Sequence, residues 1–155
     1  MQRISKFYKV SAARFEEDGG KCYENIALPE RATKGSAGYD FITPSQIVLA
    51  PGESCTVATG IRAEIDEGWV LQIFPKSGLG FKFGIRLANT VGIVDSDYFY
   101  SDNEGHILVK IINGNKTLTL PEKKAFCQGV FTPFGITYDD NADALRNGGF
   151  GSTGR

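Results

Sequence analysis

The stretch ILVKIINGNKTLTL, residues 107–120, decides the fold class. Two runs rich in Ile, Leu, Val and Thr flank Asn113-Gly114-Asn115, and Asn-Gly in that setting predicts a β-hairpin. Downstream, AFCQGVFTPF (125–134) predicts a strand ended by Pro133 and Gly135. Upstream, WVLQIF (69–74) predicts a buried strand closed by Pro75. ESCTVATGIRAEI (53–65) spaces Val57, Ile61, Ala63 and Ile65 with polar residues between them. Long amphipathic helix patterns are hard to find, although residues 79–85 and 142–146 each have room for a helical turn. Short strands at regular spacing, punctuated by turns, predict an all-β sandwich or barrel.

A chain of 155 residues fits one domain and needs neither a disulfide nor a metal to hold its core. Residues 1–138 are expected to form the β domain. Residues 139–155 are polar and glycine-rich, with too few apolar groups to dock on their own, and read as a mobile arm. A net charge of −1 argues against duplex nucleic acid as a partner, because such domains carry a basic excess. The N-terminal segment lacks the apolar core of a signal peptide, and no apolar run of about 18 residues is available to span a membrane. The three cysteines, Cys22, Cys55 and Cys127, are odd in number and match no metal-site spacing. They are expected to be free, buried small hydrophobes in a cytoplasmic, reducing setting.

Four places carry groups suited to chemistry. Ser36-Ala37-Gly38-Tyr39-Asp40 puts a carboxylate beyond a flexible turn, and taken alone it reads as an Asx-type turn. Pro75-Lys76-Ser77-Gly78-Leu79-Gly80 combines a cation, a hydroxyl and two glycines, as an anion-binding turn would. It lacks the P-loop spacing and equally suits an ordinary turn. Gly92-Ile93-Val94-Asp95-Ser96-Asp97-Tyr98 is an apolar strand delivering two carboxylates at i and i+2, on one face if the strand continues. Such a pair needs a cation or a proton between its charges, unless it is merely an acidic strand end. The tail around Arg146, Phe150, Gly151, Ser152 and Thr153 strings a cation, a ring and two hydroxyls on a backbone that cannot fold alone. It suits an arm closing over a ligand, or a disordered end.

In this order the four places, with Ala125-Phe126-Cys127-Gln128-Gly129-Val130-Phe131 as a fifth, resemble the motifs of the homotrimeric dUTPase family over residues 35–155. The resemblance implies a jelly-roll-like β fold, a homotrimer with active sites shared between chains, and hydrolysis of dUTP to dUMP and pyrophosphate with Mg²⁺. By the same resemblance Asp95 activates the attacking water, and Tyr98 packs under the deoxyribose, where a 2′-hydroxyl would clash. Asn89 and backbone near Leu108 bind uracil, with Gly92 in the same substrate-binding segment. Lys76, Ser77, Gly78 and Gln128 contact phosphate, and Asp40 holds the water shell of the Mg²⁺. Arg146, Ser152 and Thr153 close on the γ-phosphate, with Gly151 in the same substrate-binding segment, and Phe150 covers the base.

Two departures stand out. Lys76 occupies a position where the family usually has Arg, keeping the charge without the bidentate fork. Residues 99–104 (FYSDNE) lengthen the turn before Gly105 by about five residues against the family pattern. This loop, 99–106, with two aromatics expected to be exposed, offers a surface for a protein partner, and His106 is expected to be solvated in it. Two rival functions fit less of the chain: a dCTP deaminase-like enzyme of the same superfold, which Asp95-Ser96-Asp97-Tyr98 opposes, and a regulatory binding protein on the same scaffold.

Overall fold

A computed structural model describes residues 1–146 and 148. Twelve strands carry the fold: β1 (Ser5–Lys9), β2 (Glu30–Arg31), β3 (Tyr39–Ile42), β4 (Ile47–Leu49), β5 (Ser54–Ala58), β6 (Ile61–Ile65), β7 (Trp69–Pro75), β8 (Arg86–Leu87), β9 (Gly92–Val94), β10 (Leu108–Ile112), β11 (Leu118–Leu120) and β12 (Ala125–Pro133). Two short helices interrupt them, α1 (Ala12–Glu17) and α2 (Ser77–Phe83). The chain is thus all-β, as its sequence predicts.

Strands alternate because one face of each meets the core. In β10, Val109 and Ile111 are buried and Lys110 is exposed. In β6, Ile61, Ala63 and Ile65 point inward. The largest sheet runs β2-β3-β12-β7-β9, a second runs β5-β10-β8, and two-stranded ladders join β1 to β6 and β11 to β4. Side chains from all of them meet in one core: Phe41, Leu71, Ile73 and Phe126 from the large sheet, and Val57, Ile61, Ile111, Leu118 and Leu120 from the smaller ones. The WVLQIF run becomes β7, which pairs on both sides, with β12 and β9. Val70, Leu71 and Ile73 are buried, while Trp69, Gln72 and Phe74 are half-buried.

The hairpin expected at Asn113-Gly114 does not form. β10 pairs with β5 and β8, whereas β11 pairs with β4. The reason lies in what the two residues bind. The Asn113 amide is buried and donates to the carbonyls of Leu49, Ala50 and Lys116. The Gly114 N–H donates to the Phe83 carbonyl at 3.0 Å. Neither residue adopts the positive φ of a two-residue hairpin turn. The pair ties three loops together instead, and a Cβ on Gly114 would lie 2.2 Å from that carbonyl oxygen.

The helical turn expected near residues 79–85 is α2, stopped by Gly84 at φ 68°. None forms at residues 142–146, where so short a segment cannot offset the cost of nucleation. All three cysteines are free as expected, but only Cys127 is buried. Cys55 is half-buried, and Cys22 is exposed at a left-handed φ of 63°. Among the described residues no helix is long and apolar enough to cross a membrane.

Candidate functional site

The candidate residues fall into two clusters on the large sheet. In the first, β3, β12 and β7 lie side by side, and the register sets Asp40 beside Gln128 and Gln128 beside Phe74. Asp40 is therefore a strand residue, not part of an Asx turn. One residue past β7, Lys76 caps α2, and its Nζ donates to Asp40 Oδ1 at 2.7 Å. Lysine makes one directional contact here where a guanidinium would offer a fork. Gln128 Nε2 donates to the Pro75 carbonyl at 3.4 Å, holding β12 against the start of α2. Ser77 and Gly78 open the helix and are exposed. Gly78 has open space where a Cβ would stand, so nothing among the described residues demands glycine there.

The second cluster forms where β9 ends. Strand pairing stops at Val94, and Asp95 begins a 3₁₀ turn over Ser96–Tyr100. Asp95 and Asp97 are thus not the two same-face residues of a strand that their spacing suggested. They meet through a cation. Arg146 Nη2 donates to Asp95 Oδ2 at 2.6 Å, and Arg146 Nε donates to Asp97 Oδ1 at 2.9 Å. The guanidinium carbon also lies 5.7 Å from the centre of the Tyr98 ring. This is the charge compensation that two neighbouring carboxylates require. Gly92 pairs with Ile73, and a Cβ there would stand 3.0 Å from the Ile73 Cβ. Asn89 is exposed just before Thr90, which has φ 68°. Leu108 is half-buried and pairs with Ala58. The expectations for Phe150, Gly151, Ser152 and Thr153 fall outside the described residues.

The two clusters are not adjacent within one chain. Counting along the register, Asp40, Gln128 and Phe74 share a row, while Asp95 follows Val94, which pairs with Leu71. Four rows and three strand spacings separate Asp40 from Asp95, on the order of 20 Å.

The longer turn differs most from expectation. His106 is completely buried, not solvated. Its Nδ1 lies 2.6 Å from Asp18 Oδ2, and its Nε2 accepts from the Gly60 N–H at 2.9 Å. The ring is therefore the Nδ1–H tautomer, donating to the carboxylate. Burial holds its pKa below the ordinary 6.5 despite the pull of Asp18. Nor is Phe99 an exposed docking ring. The Arg62 guanidinium lies 3.7 Å above it and donates to its carbonyl at 2.6 Å, and Tyr8 packs beside it. Only Tyr100 remains open to solvent. Sequence reading missed Asp18, Asn103 and His106 as neighbours of Tyr98. The Asn103 amide donates to the Tyr98 hydroxyl at 2.8 Å, and that hydroxyl donates to the His106 carbonyl at 2.8 Å. No spacing rule links residues 18 and 106; a lone histidine eight residues past Tyr98 was the available sign.

A family model for dUTPase matches residues 24–154. The deoxyuridine 5'-triphosphate nucleotidohydrolase of Tolumonas auensis is 43% identical over 137 residues, 83% of this chain and 87% of that protein. The crystal structure of dUTPase from Streptococcus mutans superposes with a TM-score of 0.69 at 34% identity, covering 84% of this chain and 97% of that one. A mutant dUTPase from phage phi11 of S. aureus, whose structure resolves a structural Mg(II) ion, shares the fold at 20% identity. Its TM-score is 0.68, with 93% of this chain and 99% of that one covered. Fold and relatives together define an all-β hydrolase of nucleotide metabolism. The chain belongs to the dUTPase family, and as an enzyme it is a dUTP diphosphatase.

Proposed function

We propose that this chain hydrolyses dUTP to dUMP and pyrophosphate at sites shared between copies in a homotrimer. A water attacks the α-phosphorus and passes its proton to Asp95, the α–β bridging P–O bond breaks, and pyrophosphate leaves. Tyr98 packs under the deoxyribose, while Asn89 and backbone near Leu108 take the uracil edge, beside Gly92. Lys76, Ser77, Gly78 and Gln128 bind phosphate oxygens. Gly78 fits that role, because its open Cβ direction admits a close-approaching oxygen. Arg146 exchanges its carboxylates for phosphate when the arm, residues 139–155, closes with Gly151, Ser152, Thr153 and the ring of Phe150.

Among the described residues no group of three or more His, Cys, Asp or Glu side chains stands ready to chelate a metal. Asp40, with one oxygen engaged by Lys76, instead suits the outer water shell of a Mg²⁺ carried by the triphosphate. Bound there, Mg²⁺ would act as a Lewis acid on the phosphate oxygens. Free Cys22 and Cys55 accord with a reducing, cytoplasmic setting.

The observation that carries this reading is the separation of Asp40 and Lys76 from Asp95 within a chain. A distance on the order of 20 Å is too long for one phosphate-bound metal to serve both ends, which supports a site completed by a second copy. Pyrophosphate release, measured with each deoxynucleoside triphosphate with and without Mg²⁺, tests the reaction: dUTP alone should be turned over, and only with the metal. Sharing is tested by co-expressing D95N and K76A chains. Mixed trimers should regain activity that neither variant has alone, and their inactivity would refute a shared site.

A further inference from the structure

The residues that lengthen the turn after Tyr98 are folded back on it. Ser101 N–H donates to the Tyr98 carbonyl at 3.0 Å, Glu104 N–H to Ser101 at 2.8 Å, and His106 N–H to Asn103 at 3.1 Å. The chain reverses at Gly105, whose φ is 68°, and a Cβ there would lie 2.7 Å from the Tyr98 carbonyl oxygen. The reversal delivers two polar partners of the Tyr98 hydroxyl, the Asn103 amide and the His106 carbonyl. Where residues 103–106 are held therefore fixes the polar end of the ring.

Those residues are held from the far side by the N-terminal segment. Glu104 receives the Ser11 hydroxyl at 2.6 Å and the Ser11 N–H at 2.8 Å. His106 donates to Asp18, which closes α1 and is itself gripped by Arg14 through Nε and Nη2. On its other edge His106 accepts from Gly60, between β5 and β6, while the next residue, Ile107, donates to Ile61 at 2.9 Å. The imidazole is a wedge between α1 and the main chain entering β6, and its own carbonyl is what Tyr98 grips.

We propose that His106 is a positioning residue. Held by Asp18 and Gly60, it fixes the Tyr98 ring through its carbonyl and so sets how strictly the site rejects a ribose 2′-hydroxyl. This rests on the reading that Tyr98 packs under the deoxyribose. It assigns residues 101–106 a specificity role in place of partner docking. The charged and titratable groups facing His106 are Asp18 at the end of α1, Arg14 within it, Glu104 and Tyr98 from the turn, and Arg62 of β6 alongside Glu104. A proton on Nε2 would abolish the bond from Gly60, so acid should loosen the wedge.

The test is the ratio of kcat/KM for dUTP to that for UTP, measured from pH 5 to 8 on the full-length enzyme. H106A should lower that ratio by about tenfold or more, chiefly through KM, since misplacing a substrate-contacting group by an ångström is costly. In the wild type the ratio should fall toward the acid end of that range, at a pH below the ordinary imidazole value of 6.5, because burial holds the His106 pKa down in the folded enzyme. H106Q, which keeps an acceptor for Gly60 but cannot titrate, should hold it constant. Should H106A not fold, N103A and Y98F loosen the ring without altering the buried imidazole, and should lower the ratio in the same way. Wild-type ratios at every pH in folded H106A and N103A, with Y98A impaired, would overturn the proposal and leave the Tyr98 reading standing. A wild-type ratio and KM in Y98A would overturn that reading itself, and the proposal with it.

Discussion

Arg146 and Asp95 are joined by a 2.6 Å ion pair that closes over the end of β9, with Arg146 Nε on Asp97 as a second contact. The guanidinium side chain is mostly covered while both carboxylates remain about half exposed. The cation is therefore the sequestered partner, and the acids stay accessible to water and ligand. In the proposed reaction Asp95 takes the water's proton once Arg146 has moved to phosphate.

Replacing Asp95 with Asn keeps shape and hydrogen bonding but removes the base. D95N should bind a non-hydrolysable dUTP analogue with near-native affinity while kcat falls by roughly 10²–10⁴, the usual contribution of a general base. Calorimetric binding alongside steady-state kinetics separates the two effects. Near-native turnover in D95N would discard the assignment.

Removing residues 146–155 takes away the cation and the remainder of the arm. Turnover should vanish while the assembly persists, because every described strand and the whole core precede this segment. Light scattering and pyrophosphate release on the truncated protein check both halves. Retained activity would show that the arm takes no part.

Gly114 lies against the backbone of Phe83 and Gly84, which cannot yield as a flexible side chain does. G114A should destabilise the fold by about 1–3 kcal/mol, the ordinary cost of forcing a methyl group into a packed region. For a chain of this size that is a fall of roughly 2–12 °C in Tm, readable by calorimetry. An unchanged Tm would mean that the tie between residues 113–114 and the end of α2 contributes little.

Acid should destabilise the protein in two stages. The native state holds the His106 pKa below its ordinary 6.5 through burial, so the unfolded chain binds the proton more readily and stability falls as pH drops from there. Glu104, held below its ordinary 4.5 by the Ser11 hydroxyl, adds a second loss at lower pH. Tm should be level above about pH 7 and decline beneath pH 6.5, with the upper stage missing in H106Q. An identical decline in H106Q would assign the effect elsewhere.

The all-β class was legible because alternation and turn residues are local properties. β7 and β12 can be read from WVLQIF and AFCQGVFTPF without knowing what they touch. Asp95, Tyr98 and Arg146 were legible as a set because they lie in ordered motifs whose residue types suit one chemistry. Which strand pairs with which was not legible. Asn113-Gly114 carries a hairpin signal that tertiary bonds to residues 49, 50 and 83 override. His106 looked like a loop residue because Asp18, the cap of the helix that packs on it, lies 88 positions away. Local chemistry thus determined most of the strands and the candidate reacting groups of this protein. Only the folded chain decided their neighbours, because burial and long-range pairing depend on closing loops whose ends carry no mark of one another in sequence.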